Sequence, residues 1–298
     1  MKILVSGANG FIGSALCEEA LSRGWSLVAC VRQSVCVEQT TVGDIGAQTS
    51  WQEPLKGVDV VVHLAAQASV QDITSLYTVN VDAATNLFRQ AVAAGVTRFV
   101  FMSSAKVHGD VTKGSSVLKE ESPLLPGDPY ASSKCEAEQQ LISLAAGTAT
   151  ELVIVRPTLV YGRGVKGNFK LLMGLLEKGL PLPFGLVSNE RSFVAVDNLV
   201  DFICLCSIHP KAAGDVFLVS DIGVVSTPEL LKRIAVAVGR RVTMLPIPVS
   251  LMSGVAALLG KQRVADSLFG SFRVNPSKAI KKLGWKPIVS MRDVLSRM

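Results

Sequence analysis

Residues 2 to 13 read KILVSGANGFIG: a short apolar run, then glycines at 7, 10 and 13, then small and apolar residues at helical spacing. No other feature constrains the fold as strongly. A strand that turns sharply into a helix, with no side chain at three positions, aims backbone amides and a helix N-terminus at one point. Gly7 permits the tight turn, Gly10 lets amides approach a bound group, and Gly13 lets the helix pack closely on the strand. The arrangement suits the pyrophosphate of a dinucleotide, with Asn9, Phe11 and Ile12 around it.

The strand-then-helix pattern continues. SLVACV, VDVVVHLAA, TRFVFMSS and ELVIVRP are apolar on both faces, and IGSALCEEALSRG and VDAATNLFRQAVAAG between them repeat small and apolar residues every three to four positions. Strands buried on both faces and alternating with helices predict an α/β fold, a doubly wound parallel sheet of Rossmann type. Beyond Arg156 the chain becomes punctuated by proline and glycine. Residues 1–156 therefore read as a dinucleotide-binding domain and 157–298 as a smaller substrate-binding region interleaved with it, DVFLVS at 215–220 being a candidate extra strand.

The chain of 298 residues is 49% hydrophobic and carries a formal charge of +6, yet its lysines and arginines are scattered. No basic stripe interleaved with aromatics points to nucleic acid, and a soluble enzyme with an anionic ligand is expected instead. Cysteines 17, 30, 36, 135, 204 and 206 lack the paired spacing of a metal site, so no metal is expected, and reduced thiols fit a cytoplasmic protein. The opening MKILVSG breaks at Gly7, too early for a signal-peptide core. No apolar run reaches the roughly 18 residues of a membrane span; the nearest, PIPVSLMSGVAALL at 246–259, reads as a buried or surface helix.

At the end of the second strand of a dinucleotide-binding fold, an acidic residue commonly bonds the ribose hydroxyls and repels a 2′-phosphate. Here that position reads Val31-Arg32. A guanidinium in place of a carboxylate removes the repulsion and can fork onto phosphate oxygens, favouring NADP(H), with NAD(H) as the alternative.

PYASSK places Tyr130 and Lys134 four residues apart, on one face of a helix. A free tyrosine is a poor base at neutral pH, and a nearby ammonium would favour its phenolate. The pair could then move a proton at a substrate hydroxyl while hydride passes to or from a nicotinamide. Ser104, at the end of the strand TRFVFMSS, could donate to the same oxygen. His63, inside VVHLAA, reads as a packing residue.

Across nearly its whole length the chain resembles the extended short-chain dehydrogenase/reductases, the nucleotide-sugar epimerase and dehydratase family. GANGFIG, GDI at 43–45, HLAA at 63–66, VNVDAATN, SSAKVHG, YASSK, RPTLVYG, RSFVAVDN and KLGWKP carry the resemblance. It implies that Asp44 and Ile45 meet the adenine, that Leu64, Ala65, Ala66 and Pro157 line the cofactor, and that Asn80 sits near its nicotinamide half. Ser104, Tyr130 and Lys134 would be the catalytic trio. Arg191 would contact a nucleotide diphosphate, Arg263 would be a second such contact, and Lys106 and Asn168 would meet the substrate. A homodimer is implied through the tyrosine helix, where Ala137, Leu141 and Leu144 have compatible spacing.

Two departures narrow the chemistry. Dehydratases of the family follow their serine or threonine with an acidic pair, whereas Ala105 and Lys106 stand here, so dehydration is not expected. Against the SSATVYG of 4-epimerases, Lys106 and His108 are unusual. The chain looks most like the branch that reduces a UDP-4-keto-6-deoxy-N-acetylhexosamine for bacterial polysaccharide synthesis, so an NADPH-dependent 4-keto reductase is the leading expectation. A UDP-hexose 4-epimerase, on UDP-glucose or UDP-GlcNAc, is the alternative. A non-catalytic NADP-sensing protein is a third reading, weakened by the intact trio.

Overall fold

The computed structural model describes residues 1–34, 39–68, 72–165, 174, 176, 179 and 181–298. Six parallel strands run β1 (Lys2–Ser6), β2 (Ser26–Val31), β3 (Gln39–Thr41), β4 (Val60–His63), β5 (Arg98–Met102) and β6 (Glu151–Pro157). The small strands β7 (Leu159–Tyr161) and β8 (Phe193–Ala195) pair with each other, and β9 (Val216–Val219) returns to the main sheet beside β6. The resulting order is β3-β2-β1-β4-β5-β6-β9, parallel throughout. The sheet thus draws on the chain from both sides of Arg156, and DVFLVS does supply a strand.

Period-two alternation decides what each strand buries. In β1, Ile3 and Val5 face one apolar cluster while Leu4 faces the other. The first cluster is covered by α1 (Phe11–Ser22) and the helix Val196–Ile208, which pack on each other. The second is covered by α3 (Ala83–Ala93) and α4 (Pro129–Ala145), likewise in contact. A short helix, α2 (Ile73–Tyr77), runs through a π turn at Thr78–Asp82 into α3. A third cluster, around Tyr161, Phe184, Phe193, Leu231 and Leu295, belongs to the C-terminal half.

One sequence expectation fails at this level. Ala137 and Leu141 are fully buried in the second cluster, so these two side chains serve the chain's own core and not a face between subunits, while Leu144 packs against the cluster and stays half-buried. The exposed side of α4 carries Glu136, Gln139, Ile142 and Ser143 instead. Among the described residues no helix is long and apolar enough to cross a membrane, and no cluster of ligating side chains could hold a metal ion.

Candidate active site

The sheet order reverses between β1 and β4, and the carboxyl ends of the strands on either side open into a cleft, the usual ligand position of an open α/β sheet. Gly7, Asn9 and Gly10 line it from β1, Val31 and Arg32 from β2, Asp44 and Ile45 from the loop after β3, and Leu64, Ala65 and Ala66 from β4. Gly7 has a φ of +73°, and a side chain there would come within 2.9 Å of Ala65 backbone. A Cβ on Gly13 would lie 2.1 Å from the Gly7 carbonyl oxygen, so only glycine lets α1 start this close to the loop. The helix begins at Gly10 with no side-chain cap and no acid in its first turn, leaving its amides to a phosphate. The cleft therefore fits a dinucleotide. The side chains of Phe11 and Ile12, half-buried, pack on the first apolar cluster.

Arg32 Nε donates to Asp44 Oδ1 at 2.9 Å, both side chains being mostly exposed. The two residues assigned to the adenosine end thus meet each other. Trp51, fully buried, also lines this cleft, and its indole nitrogen finds no partner among the described residues. Nothing in the loop before β4 singles it out in sequence.

A second cavity, of about 310 Å³, is lined by Ser104, Lys106, Asp110, Asp128, Pro157, Arg191, Arg263 and Phe272, among others. Pro157, expected at the cofactor, lines this cavity and not the dinucleotide cleft. Ser104 caps the 3₁₀ turn Ala105–His108 by accepting from the Lys106 amide. Lys106 Nζ reaches the Asp128 carboxylate and, at 3.1 Å, Asp110. Burial works against the Lys106 charge, and the two carboxylates outweigh it, holding its pKa above the ordinary value. Asp128 in turn caps α4, accepting from the Ala131 amide at 2.7 Å, with Pro129 at the first helical position. Sequence reading missed Asp128, although Asp-Pro ahead of a helical pattern is a cap signal.

Arg191 lies over Phe272 and donates to the Gly270 carbonyl at 2.9 Å, with no carboxylate within ion-pair distance among the described residues. Burial lowers its pKa to about 10, with Asp110 opposing. A largely buried cation facing a cavity without a counter-ion suits an anionic ligand. Arg263 is exposed, donates to the Gly127 carbonyl at 3.4 Å and acts by its charge on Asp128. Asn168 lies outside the described residues.

Asn80 is completely buried and lines neither cavity. It accepts from the Gln67 amide at 2.8 Å and donates to the Gln67 carbonyl and to Ser133, so it clamps the loop after β4 to the tyrosine helix. His63 is sealed beside Phe101, bonded to Ser6 at 2.6 Å, and pushed down to about 3 by burial and then by Lys134; it is a packing residue. His108 Nε2 meets Arg156 at 3.0 Å, and Arg156 pairs with buried Glu138, so His108 braces the site from behind.

Tyr130 and Lys134 lie on α4, both largely enclosed by protein. Burial, with the Asp128 charge, pushes Tyr130 up to about 12, and burial pulls Lys134 down to about 7 against the pull of Glu138. Lys134 Nζ rests 4.2 Å from the Phe101 ring centre. Burial thus opposes charge on both groups, while Glu138 favours the ammonium.

The NAD dependent epimerase/dehydratase family matches residues 3–220. The chain belongs to this family. It is 42% identical to the UDP-glucose 4-epimerase of Vibrio cholerae, over 98% of this chain and 92% of that protein. It is 28% identical to the N-acetyl-alpha-D-glucosaminyl-diphospho-ditrans,octacis-undecaprenol 4-epimerase of Escherichia coli O157:H7, over 90% and 83%. MoeE5, solved in complex with UDP-glucuronic acid and NAD, superposes with a TM-score of 0.81 at 25% identity, covering 99% of this chain and 97% of that one. As a member of the epimerase/dehydratase family, the chain is an enzyme of the nicotinamide-dependent, nucleotide-sugar type, with the extended short-chain dehydrogenase fold.

Proposed function

We propose that the chain is a UDP-hexose 4-epimerase. The 42% identity to the Vibrio cholerae UDP-glucose 4-epimerase, nearly end to end, carries this choice over the 4-keto reductase expected from sequence. A bound nicotinamide would supply hydride acceptance and return at sugar C4. The chain's own residues do the rest. Arg191 holds the diphosphate, Tyr130 passes a proton to and from the C4 oxygen, Ser104 donates to that oxygen, and Lys106, held by Asp128, borders the sugar. Asp44 pairs with Arg32 at 2.9 Å, so the guanidinium already has a carboxylate partner and would have to give it up to take a 2′-phosphate, which supports NAD over NADP.

A second reading, NADPH-dependent reduction of a UDP-4-keto sugar, draws on Arg32 and on Tyr130, whose protonated hydroxyl at neutral pH is ready to donate to a keto oxygen. One experiment separates the two. Purified enzyme with UDP-glucose or UDP-GlcNAc should interconvert the C4 epimers with no net change in nicotinamide absorbance, and Tyr130→Phe should slow this by about a hundredfold or more. Stoichiometric NADPH consumption with a UDP-4-keto-6-deoxy-N-acetylhexosamine, and no epimer exchange, would overturn the proposal.

We also infer a homodimer through the exposed side of α4. Sedimentation velocity should find two subunits, and Ile142→Glu, at a position 51% exposed, should release monomers without unfolding them.

A further inference from the structure

The helix Val249–Leu258 has ten residues, no charged side chain and no buried residue. Leu251, Val255 and Leu258 are 60%, 50% and 89% exposed and fall four and three residues apart, on one face; Leu259, at 65%, extends the stripe. The other face is already used, since Val249 and Met252 pack on the C-terminal apolar cluster. The following helix, Gln262–Phe269, packs against it and adds half-exposed Val264. Single exposed leucines are ordinary, but an aliphatic stripe on a helix without charge marks a contact surface.

We propose that this stripe docks on the surface of an anionic lipid leaflet. Lys261 and Arg263 follow the stripe directly, and both are exposed. The one acid of the next helix, Asp266, accepts from Gln262 at 3.0 Å. The chain as a whole carries +6. Aliphatic side chains flanked by basic ones match acyl chains beneath phosphates, whereas the centre of a protein interface draws on aromatic anchors, and the stripe has none. At 1.5 Å per residue the helix is about 15 Å long, half of a hydrocarbon core of about 30 Å, so it lies in the interface and does not span. Arg263, Val264 and Ser267 of the second helix also line the cavity that holds Arg191. A docked enzyme therefore keeps that cavity beside the leaflet, whichever sugar it accepts.

Flotation of the purified full chain with vesicles tests this. The enzyme should float with phosphatidylcholine vesicles containing phosphatidylglycerol, and bind phosphatidylcholine alone about thirtyfold more weakly, the size expected from two basic residues near the surface. Leu251→Glu with Leu258→Glu should reduce flotation about tenfold or more while thermal melting by circular dichroism shows an unchanged fold. Leu21→Glu, at a 58% exposed leucine elsewhere, should leave flotation as it was. Failure of the native chain to float, equal flotation with both vesicle types, or full flotation of the double variant would overturn the proposal. So would a native dimer that the double variant splits in sedimentation velocity, which would assign the stripe to a second copy of the chain.

Discussion

Lys134 shows how far a single residue's chemistry depends on what surrounds it. Its neighbours in sequence place it one turn from Tyr130, but only the fold seals it against Phe101 and pulls it down to about 7. Below about 7 the ammonium is charged in both folded and unfolded chains, and the full burial penalty is present. Between about 7 and its ordinary value of 10.5, the unfolded chain holds a proton that the folded chain does not, so this group's contribution to stability rises with pH. Lys134→Met should therefore melt above the native protein near pH 7, with the gap narrowing as pH approaches about 10. A gap that stays constant across that range in scanning calorimetry would mean that Lys134 titrates normally. The same variant should lose turnover, since a lysine retained at this cost is kept for function.

Among elements, the β1–α1 turn was legible to the residue, because a glycine with positive φ and a glycine under a carbonyl cannot be replaced without a clash. Gly13→Ala should destabilise the protein by about 1–3 kcal/mol in a urea titration and weaken dinucleotide binding in fluorescence titration, since the Cβ forces α1 away from the Gly7 carbonyl. Native-like values for both would show that the turn can yield. β2 and β6 follow their apolar runs from end to end, whereas β3, only Gln-Thr-Thr, carries no apolar signal and forms because β2 offers it an edge. The π turn at Thr78–Asp82 was invisible for a related reason. Helical spacing runs on into α3, while Asn80 is drawn out of register to bond Gln67 and Ser133.

For the molecule as a whole, one polar joint between the C-terminal half and the sheet centres on Asn198 and Asp221, beside the apolar packing of Ala279, Leu283 and Trp285 on the first cluster. Asn198 donates to Asp221 and to the Val289 carbonyl and accepts from the Ile288 and Val289 amides, and Asp221 also receives the Tyr161 hydroxyl. Asn198→Ala leaves these buried groups unpaired and should cost about 2–4 kcal/mol, read as an earlier urea midpoint. Protease nicking of 285–298 ahead of global unfolding would accompany it. A midpoint within error of the native one would show the joint to be dispensable. By itself the sequence determined the parallel α/β sheet, the glycine turn and the one-face spacing of Tyr130 and Lys134 on α4, because strand period, glycine sterics and side-chain spacing act within a few residues of each other. Tertiary structure alone decided that Asp44 meets Arg32, that Asp128 ties Lys106 to the tyrosine helix, that Ala137 and Leu141 are spent on the core, and that Arg191 faces a cavity without a counter-ion. Those outcomes depend on which groups distant in sequence share a desolvated volume, and charge and burial act through space, not along the chain.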